Sequence, residues 1–162
     1  FKVNERVTGV SAEAHVKYVK DNLSVAAKTV LGSNLTQTST VGGYGVTSTD
    51  SRTGRQEYSP TRTSHSWVNM VYGNKLRLGV FGGYLKNLGS KDNVSGLIGT
   101  GTNVDQITTA TAEMTYNIPN WKFGLEYSWT GAWYGDNDSK GKVVDTHLVK
   151  NNRIVAVAIF QF

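Results

Sequence analysis

An alternation of apolar and polar residues recurs along most of this sequence and restricts the chain to one kind of fold. Between residues 121 and 132, the residues Trp121, Phe123, Leu125, Tyr127 and Trp129 occupy every second position. Successive side chains of a β-strand point to opposite faces, so this period of two predicts a strand with one apolar and one polar face. Further stretches with this alternation are 7–20, 23–32, 76–86, 106–117 and 153–162. Together with a less regular stretch at 65–72, they predict an all-β, antiparallel fold of about seven strands.

The connections between the predicted strands alternate between tight and long. Asp21-Asn22, Gly73-Asn74 and Pro119-Asn120 have the composition of tight turns. The long connections are rich in polar residues and Gly and cover about 33–64, 87–105 and 135–150. Membrane β-barrels of the bacterial outer membrane have short periplasmic turns and long extracellular loops. All tight turns fall at one end of the predicted strands, which favours an antiparallel transmembrane β-barrel.

A soluble β-sandwich also alternates apolar and polar positions, but three features favour the membrane barrel. The predicted strands have about ten residues, as bilayer-crossing strands need, whereas the commonest strands of globular proteins have about five or six. Aromatic residues near strand ends are the candidates for the membrane interface: Tyr18, Tyr72, Tyr116, Trp121, Trp129 and Trp133. Charged residues on the polar faces are the candidates for pore lining: Glu13, His15, Lys17, Lys28, Arg77, Glu113, Lys122 and Glu126.

The end of the chain carries the most specific motif. Phe160-Gln-Phe162 closes a strand whose alternate positions are apolar, and it resembles the terminal strand that the assembly machinery reads in outer-membrane barrels. The segment Val80-Phe-Gly-Gly-Tyr-Leu-Lys-Asn-Leu-Gly89 is similar to strand-to-loop segments in porins of the Bacteroidota, some of which resemble the trimeric DcaP-like group. The whole chain resembles the C-terminal portion of a general outer-membrane porin. This resemblance implies location in the bacterial outer membrane, passive diffusion of small hydrophilic solutes and a homo-oligomer.

The predicted strand number is odd, whereas bacterial single-chain barrels have an even number. An open sheet edge in hydrocarbon would leave unpaired backbone groups that each cost several kcal/mol. We therefore expect residues 1–162 to be the C-terminal part of one barrel domain. Its other strands would come from an upstream segment or, alternatively, from other chains.

Parts of the pattern fit the barrel less simply. In 65–72, Trp67 and Val71 compete with Val68 and Met70 for the apolar face. In the last strand, the side that would face the pore is also apolar and consists of Val155, Val157 and Ile159. We expect an inward-folded loop or a plug segment to cover this side. Small residues on the outward faces permit either a neighbouring barrel or plain lipid contact: Ala12, Ala14, Ala110, Ala112, Ala156 and Ala158.

Composition excludes several other classes of protein. The chain has no cysteine, so disulfides, zinc-thiolate sites and thiol nucleophiles are excluded. The net charge is +5, but the basic residues are scattered rather than clustered, which argues against nucleic acid as a partner. His15, His65 and His147 have no readable catalytic partners, so we expect no enzyme activity and no cofactor. Residues 136–145 resemble a calcium loop but lack its terminal Glu, so no metal site is expected.

The remaining function is transport. Basic candidates for the pore lining outnumber acidic ones, which predicts a mild preference for anions. Arg52, Arg55 and Arg62 lie in the longest loop, which we expect to fold inward as a constriction. One alternative is the barrel end of a TonB-dependent transporter, which also closes on an aromatic residue. Another is a non-conducting outer-membrane barrel that serves as a scaffold or adhesin.

Overall fold

The chain forms an antiparallel β-sheet with almost no helix. The computed structural model describes residues 6–38 and 40–162. Its strands are β1 (Ser11–Lys20), β2 (Leu23–Ser33), β3 (Gly42–Thr49), β4 (Gln56–Gly73), β5 (Leu76–Ser90), β6 (Gly96–Thr100), β7 (Val104–Ile118), β8 (Trp121–Asn137) and β9 (Val143–Phe160). A short 3-10 turn covers Thr36–Thr38. In the described ranges, no helix has the length and apolarity required to cross a membrane.

The long strands follow one another in space as they do along the chain. The nine-stranded sheet has the main order β1-β2-β4-β5-β7-β8-β9, and β3 pairs with both β4 and β6 beside this path. All pairings are antiparallel. The predicted long strands are thus confirmed, and two short strands are added to them. The sheet is open, with β1 and β9 at its edges, so these residues do not close a barrel by themselves.

The tight turns lie where the sequence predicts them. Each contains a residue with positive φ: Asp21 at 50°, Gly73 at 114° and Asn120 at 66°. Asp, Asn and Gly tolerate this conformation better than other residues, and it matches the twist of short hairpins. Backbone hydrogen bonds connect neighbouring turns: Gly73 N–H donates to Asn22 O at 3.0 Å, and Asn117 N–H donates to Lys75 O at 2.8 Å.

The predicted loops at 33–64, 87–105 and 135–150 are too long. The first contains β3 and the beginning of β4, and the second contains the end of β5 together with β6. Most of the third belongs to β8 and β9, which leaves only a turn at residues 138–142. These segments lack a period of two, but backbone hydrogen bonds to a neighbouring strand do not require an apolar face. Pairing therefore continues well beyond the alternating stretches.

Most of the buried side chains lie at the end of the sheet that carries these extensions. The buried apolar residues are Val41, Val46, Val104 and Val143. Buried hydroxyls lie close to them, and Ser90 Oγ donates to Ser59 Oγ at 2.9 Å, which donates to Asp92 at 2.8 Å. Each buried hydroxyl among residues 6–38 and 40–162 has a partner, so its desolvation is compensated. Much of the buried part of the described chain thus lies in and beside the small sheet β4-β3-β6.

The rest of the main sheet is a single layer with two different faces. One row of Cα partners on its apolar face consists of Leu23, Tyr72, Leu78, Met114, Leu125 and Ala156. In β4 the apolar side carries Val68 and Met70, whereas Trp67 and Val71 lie on the other side. The register resolves the ambiguous stretch and joins the apolar faces of all the long strands into one surface. We call this the apolar face and its opposite the polar face.

Candidate functional site

The polar face of the main sheet collects the charged residues that the sequence predicts to line a pore. His15 is the Cα partner of Lys28, Arg77 that of Thr115, and Glu113 that of Glu126. Since strand side chains alternate, the register assigns every predicted pore-lining residue to this face: Glu13, His15, Lys17, Lys28, Arg77, Glu113, Lys122 and Glu126. Their role in a pore remains a prediction.

A groove of about 600 Å³ lies on the polar face over β4, β5, β7, β8 and β9. Most of its lining residues carry a hydroxyl, an amide or a charge: Asn69, Thr109, Thr111, Glu113, Glu126, Ser128, Thr130, Asn151 and Arg153. Phe81 adds an aromatic ring. We call this the polar groove, and its lining suits water and hydrated solutes.

Side-chain hydrogen bonds connect the strands beneath the polar groove. Arg153 donates to Glu126 Oε1 at 2.7 Å, and Ser128 donates to the same oxygen at 3.0 Å. Ser128 and Thr111 share a hydrogen bond of 2.9 Å. Arg153 was not predicted as a site residue, although the alternation of β9 places it on the same side as Val155. The role of Arg153 depends on its position opposite Ser128, which brings it within reach of Glu126.

Glu113 and Glu126 are direct cross-strand partners, an arrangement of like charges that is normally unfavourable. Arg153 compensates Glu126. The Glu113 side chain leans toward β5, where a Cβ atom on Gly79 would lie 2.6 Å from both Cγ and Oε1 of Glu113. The missing side chain at Gly79 thus provides the space that Glu113 occupies.

The remaining charges of the polar face divide into paired and unpaired groups. Lys28 Nζ lies 2.8 Å from Glu13 Oε2, so the charge of Lys28 is compensated. Lys17, Arg77 and Lys122 form no ion pair with any described residue. The unpaired charge of the polar face is therefore mainly positive.

The predicted interfacial aromatics lie on the apolar face near both ends of the strands. Tyr18, Tyr72, Tyr116 and Trp121 lie close to the tight turns, and Trp129 and Trp133 lie farther along β8. Trp121 stacks on Phe123 with ring centroids 5.6 Å apart, and Phe160 lies 4.9 Å from Trp121. The ring of Phe160 thus belongs to the aromatic group at the tight-turn end.

The predicted constriction arginines do not lie together. Arg52 and Arg55 lie at the exposed tip of the β3–β4 hairpin. Arg62 lies within β4 beside Ser33 and Gly89, on the side of the apolar face and about 20 Å farther along the strand. At the hairpin tip, Arg52 N–H and Thr53 N–H donate to Asp50 at 2.8 and 3.1 Å, and these bonds lower the pKa of Asp50.

The end of β9 is exposed on both sides of the strand. Gln161 N–H donates to Asn120 O at 2.9 Å, while Phe162 is fully exposed. On the polar face, Val155, Val157 and Ile159 are 39%, 44% and 41% exposed. Described residues leave this apolar strip open, and the predicted plug or inward loop over it stays a prediction.

Residues that could bind metal are dispersed. The described residues contain no group of three or more His, Asp or Glu side chains that could hold a metal ion. Asp138, in the stretch resembling a calcium loop, instead accepts hydrogen bonds from Lys140 N–H and Lys142 N–H at 2.8 and 2.9 Å. Its carboxylate therefore closes the β8–β9 turn.

Comparison with protein-family models, curated proteins and solved structures finds no match to this chain. The polar groove offers hydrogen-bond donors, acceptors and the ion pair of Arg153 and Glu126 on one side of a sheet whose other side is apolar.

Proposed function

We propose that this chain is part of an outer-membrane β-barrel that lets small hydrophilic solutes diffuse passively, with a mild preference for anions. The observation that carries the proposal is the unequal exposure of the two faces. Along β8, the apolar residues Phe123, Leu125 and Tyr127 are exposed, while Lys122 and Glu126, on the opposite face of the strand, are half-buried. A protein in water usually buries its apolar side chains and exposes its charged ones.

Neighbouring strands also have exposed apolar side chains and half-buried polar ones. Val68, Met70 and Tyr72 are exposed on β4, while Asn69 on the polar side is half-buried. On β5, Leu78 and Val80 are 52% and 48% exposed. An exposed apolar surface shared by several strands is costly in water, whereas contact with lipid removes that cost. This supports a lipid-facing apolar face and a hydrated polar face.

The dimensions of the apolar face suit a bilayer. The apolar positions from Trp121 to Trp129 and from Leu76 to Tyr84 each span about nine residues, which is the length of a membrane-crossing strand. Aromatic side chains lie at both ends of the β8 span, as they do in the interfacial girdles of membrane barrels.

The open edges support membership in a larger assembly. Among the described residues, β1 and β9 have a strand neighbour on one side only, so the N–H and C=O groups on the other side of each strand have no strand partner there. In a membrane those groups need hydrogen bonds, which further strands of the same barrel would supply. The chain is accordingly proposed to contribute some of the strands of that barrel.

The proposed anion preference follows from the unpaired charges. Glu13 and Glu126 are engaged by Lys28 and Arg153, whereas Lys17, Arg77 and Lys122 are not compensated within the described residues. A pore lined mainly by uncompensated cations favours anions.

A plugged transporter is the second candidate, and the exposed strip of Val155, Val157 and Ile159 favours it. Apolar residues facing a hydrated interior would be covered if another segment occupied that interior. An open porin predicts steady conductance, whereas a plugged barrel conducts little.

Planar-bilayer recording of the complete protein tests the proposal. We expect stepwise conductance increases and a reversal potential shifted toward anions in a salt gradient. Membrane barrels also migrate differently on a denaturing gel before and after heating. Solubility in plain buffer without such a shift would refute the membrane assignment. A heat-modifiable protein without conductance would instead favour the plugged or scaffold alternatives.

A further inference from the structure

A second groove lies at the edge of the apolar face, on the side away from the tight turns. It has a volume of about 460 Å³ and is lined by Arg62, Lys86, Asn87, Leu88, Asp105, Lys142, Val143 and Val144. These residues come from β4, β5, β7, the turn between β8 and β9, and the beginning of β9. We call it the basic groove, because three cationic side chains share it with one carboxylate.

The single carboxylate is already engaged. Lys86 Nζ lies 2.6 and 2.8 Å from the two carboxylate oxygens of Asp105, whose side chain is only 14% exposed. Arg62 and Lys142 are exposed and make no ion pair among the residues the structure describes. The basic groove therefore carries about two uncompensated positive charges.

The backbone holds these two cations near each other. Arg62 is the Cα partner of Gly89, and a Cβ atom on Gly89 would lie 2.6 Å from Cγ of Lys142. The stem of Lys142 thus crosses the residue that pairs with Arg62. The hairpin that carries Lys142 is anchored to β5, because Ser90 N–H donates to Lys140 O at 2.7 Å. The backbone positions that carry these two cations are consequently fixed relative to each other.

The location of the basic groove indicates the kind of anion. Lys86 follows Tyr84 by two positions on β5 and therefore lies on the same side of the strand. It is the Cα partner of Gln106, which in turn pairs with Trp133 of the predicted interface. The cations thus begin where the apolar face ends, at the depth where lipid head groups would meet the protein.

We propose that the basic groove binds the phosphate of an anionic lipid head group while the acyl chains lie against the apolar face. The Arg62 guanidinium offers paired N–H donors suited to phosphate oxygens, and Lys142 adds a mobile point charge. Basic pockets beside membrane-spanning surfaces bind lipid head groups by this chemistry. The inference rests on the proposed membrane location and adds a specific lipid site to it.

Native mass spectrometry of the complete detergent-purified protein tests this site with dioleoyl phosphatidic acid. Dioleoylglycerol, which has the same acyl chains without phosphate, serves as the ligand control. We expect phosphatidic acid to bind and the R62Q/K142Q variant to bind it about tenfold more weakly, because two charge-assisted contacts are lost. The matched control K91Q/K150Q also removes two exposed positive charges, but outside the groove, and should bind like the unmodified protein.

Equal binding by R62Q/K142Q and the unmodified protein would overturn the proposal. Equal binding of dioleoylglycerol would show that acyl chains alone decide binding and would overturn it as well. Inorganic phosphate supplies the third arm, and competition by phosphate at the same concentration as the lipid would assign the groove to free anions instead. Heat-shifted gel migration of each variant verifies folding.

The outcome is separable from that of the transport proposal. Conductance without groove-dependent lipid binding would overturn only the lipid site. Groove-dependent lipid binding by a barrel that does not conduct would support the lipid site and refute the pore.

Discussion

Glu113 lies across Gly79, and a Cβ atom at position 79 would come within 2.6 Å of both Cγ and Oε1 of the Glu113 side chain. The two residues are Cα partners on β5 and β7. We expect Gly79→Ala to lower the free energy of unfolding by about 1–2 kcal/mol, since Glu113 would have to move into the polar groove.

A double-mutant cycle measured by urea unfolding checks this relationship. In a Glu113→Ala background, Gly79→Ala should be neutral or stabilising, because glycine within a strand carries an entropic cost. Gly96→Ala is the matched control, since a Cβ atom at Gly96 meets no atom within 4 Å. Equal losses in both backgrounds would contradict the proposed steric role of Glu113.

Leu125→Arg distinguishes a lipid-facing surface from a water-facing one. Leu125 is 50% exposed on the apolar face, and an arginine there should destabilise a membrane barrel by about 2–4 kcal/mol if its position is near the bilayer centre. The change would be almost neutral on a surface in water. The measurement is the unfolding free energy of the protein folded into lipid vesicles.

Val157→Arg is the control for that substitution. Val157 is 44% exposed on the polar side of the adjacent strand, where its Cα partner is Gly124. We expect a loss well below that of Leu125→Arg, because an arginine there can reach water. Similar losses for both variants would contradict the assignment of the faces.

Lys122→Glu and Arg77→Glu should shift selectivity toward cations. Both residues lie on the polar face and make no ion pair in the described ranges, so each change converts an uncompensated cation into an anion. The reversal potential in a salt gradient should move accordingly. Lys150→Glu, opposite Gly131 on the apolar side, should leave it unchanged.

Asp138→Ala should loosen the β8–β9 turn. The carboxylate accepts hydrogen bonds from Lys140 N–H and Lys142 N–H, and their loss should cost about 1 kcal/mol on this exposed turn. Hydrogen exchange at these two amides should accelerate. Asp136→Ala is the control, because it removes a nearby exposed carboxylate for which no side-chain hydrogen bond is seen. In this variant, hydrogen exchange at the Lys140 and Lys142 amides should be unchanged.

The β3–β4 hairpin should lose order in acid as Asp50 becomes protonated. Bonds from Arg52 N–H and Thr53 N–H hold the pKa of Asp50 below its ordinary value of 3.8. A lowered pKa means that the charged carboxylate stabilises the folded turn, so this contribution is present above 3.8 and is lost as pH falls through the lower, folded value. NMR titration of the Asp50 carboxyl should give a midpoint below 3.8, and Asp50→Asn should abolish the acid-dependent change in the Thr53 amide. A midpoint at or above 3.8 would contradict the turn geometry.

The long strands, the tight turns and the sharing of a face by the predicted pore residues follow from local patterns. Leu125 and Glu126 must point to opposite sides of any strand, whatever its partners. β3 and β6 could not be predicted in this way, because their short polar and Gly-rich segments contain no regular period. The same reason explains why the sequence predicts a loop at 135–150, although β8 and β9 extend through most of this range.

The tertiary structure alone determined which charges meet. The register places Arg153 of β9 opposite Ser128 of β8, from where it reaches the carboxylate of Glu126, while the space at Gly79 accommodates Glu113. It also separates Arg62 from Arg52 and Arg55 and brings Arg62 close to Lys142. Such contacts depend on the offset between strands, and a period of two is compatible with any even offset.

Strands with two chemically opposite faces follow from the residue order, because side-chain alternation is a local property of extended backbone. The pairing of the strands then joins the faces of all the long strands into two continuous surfaces and makes the polar surface the more enclosed one. That outcome depends on the pairing and curvature of the whole sheet, which arise from contacts between residues far apart in the chain.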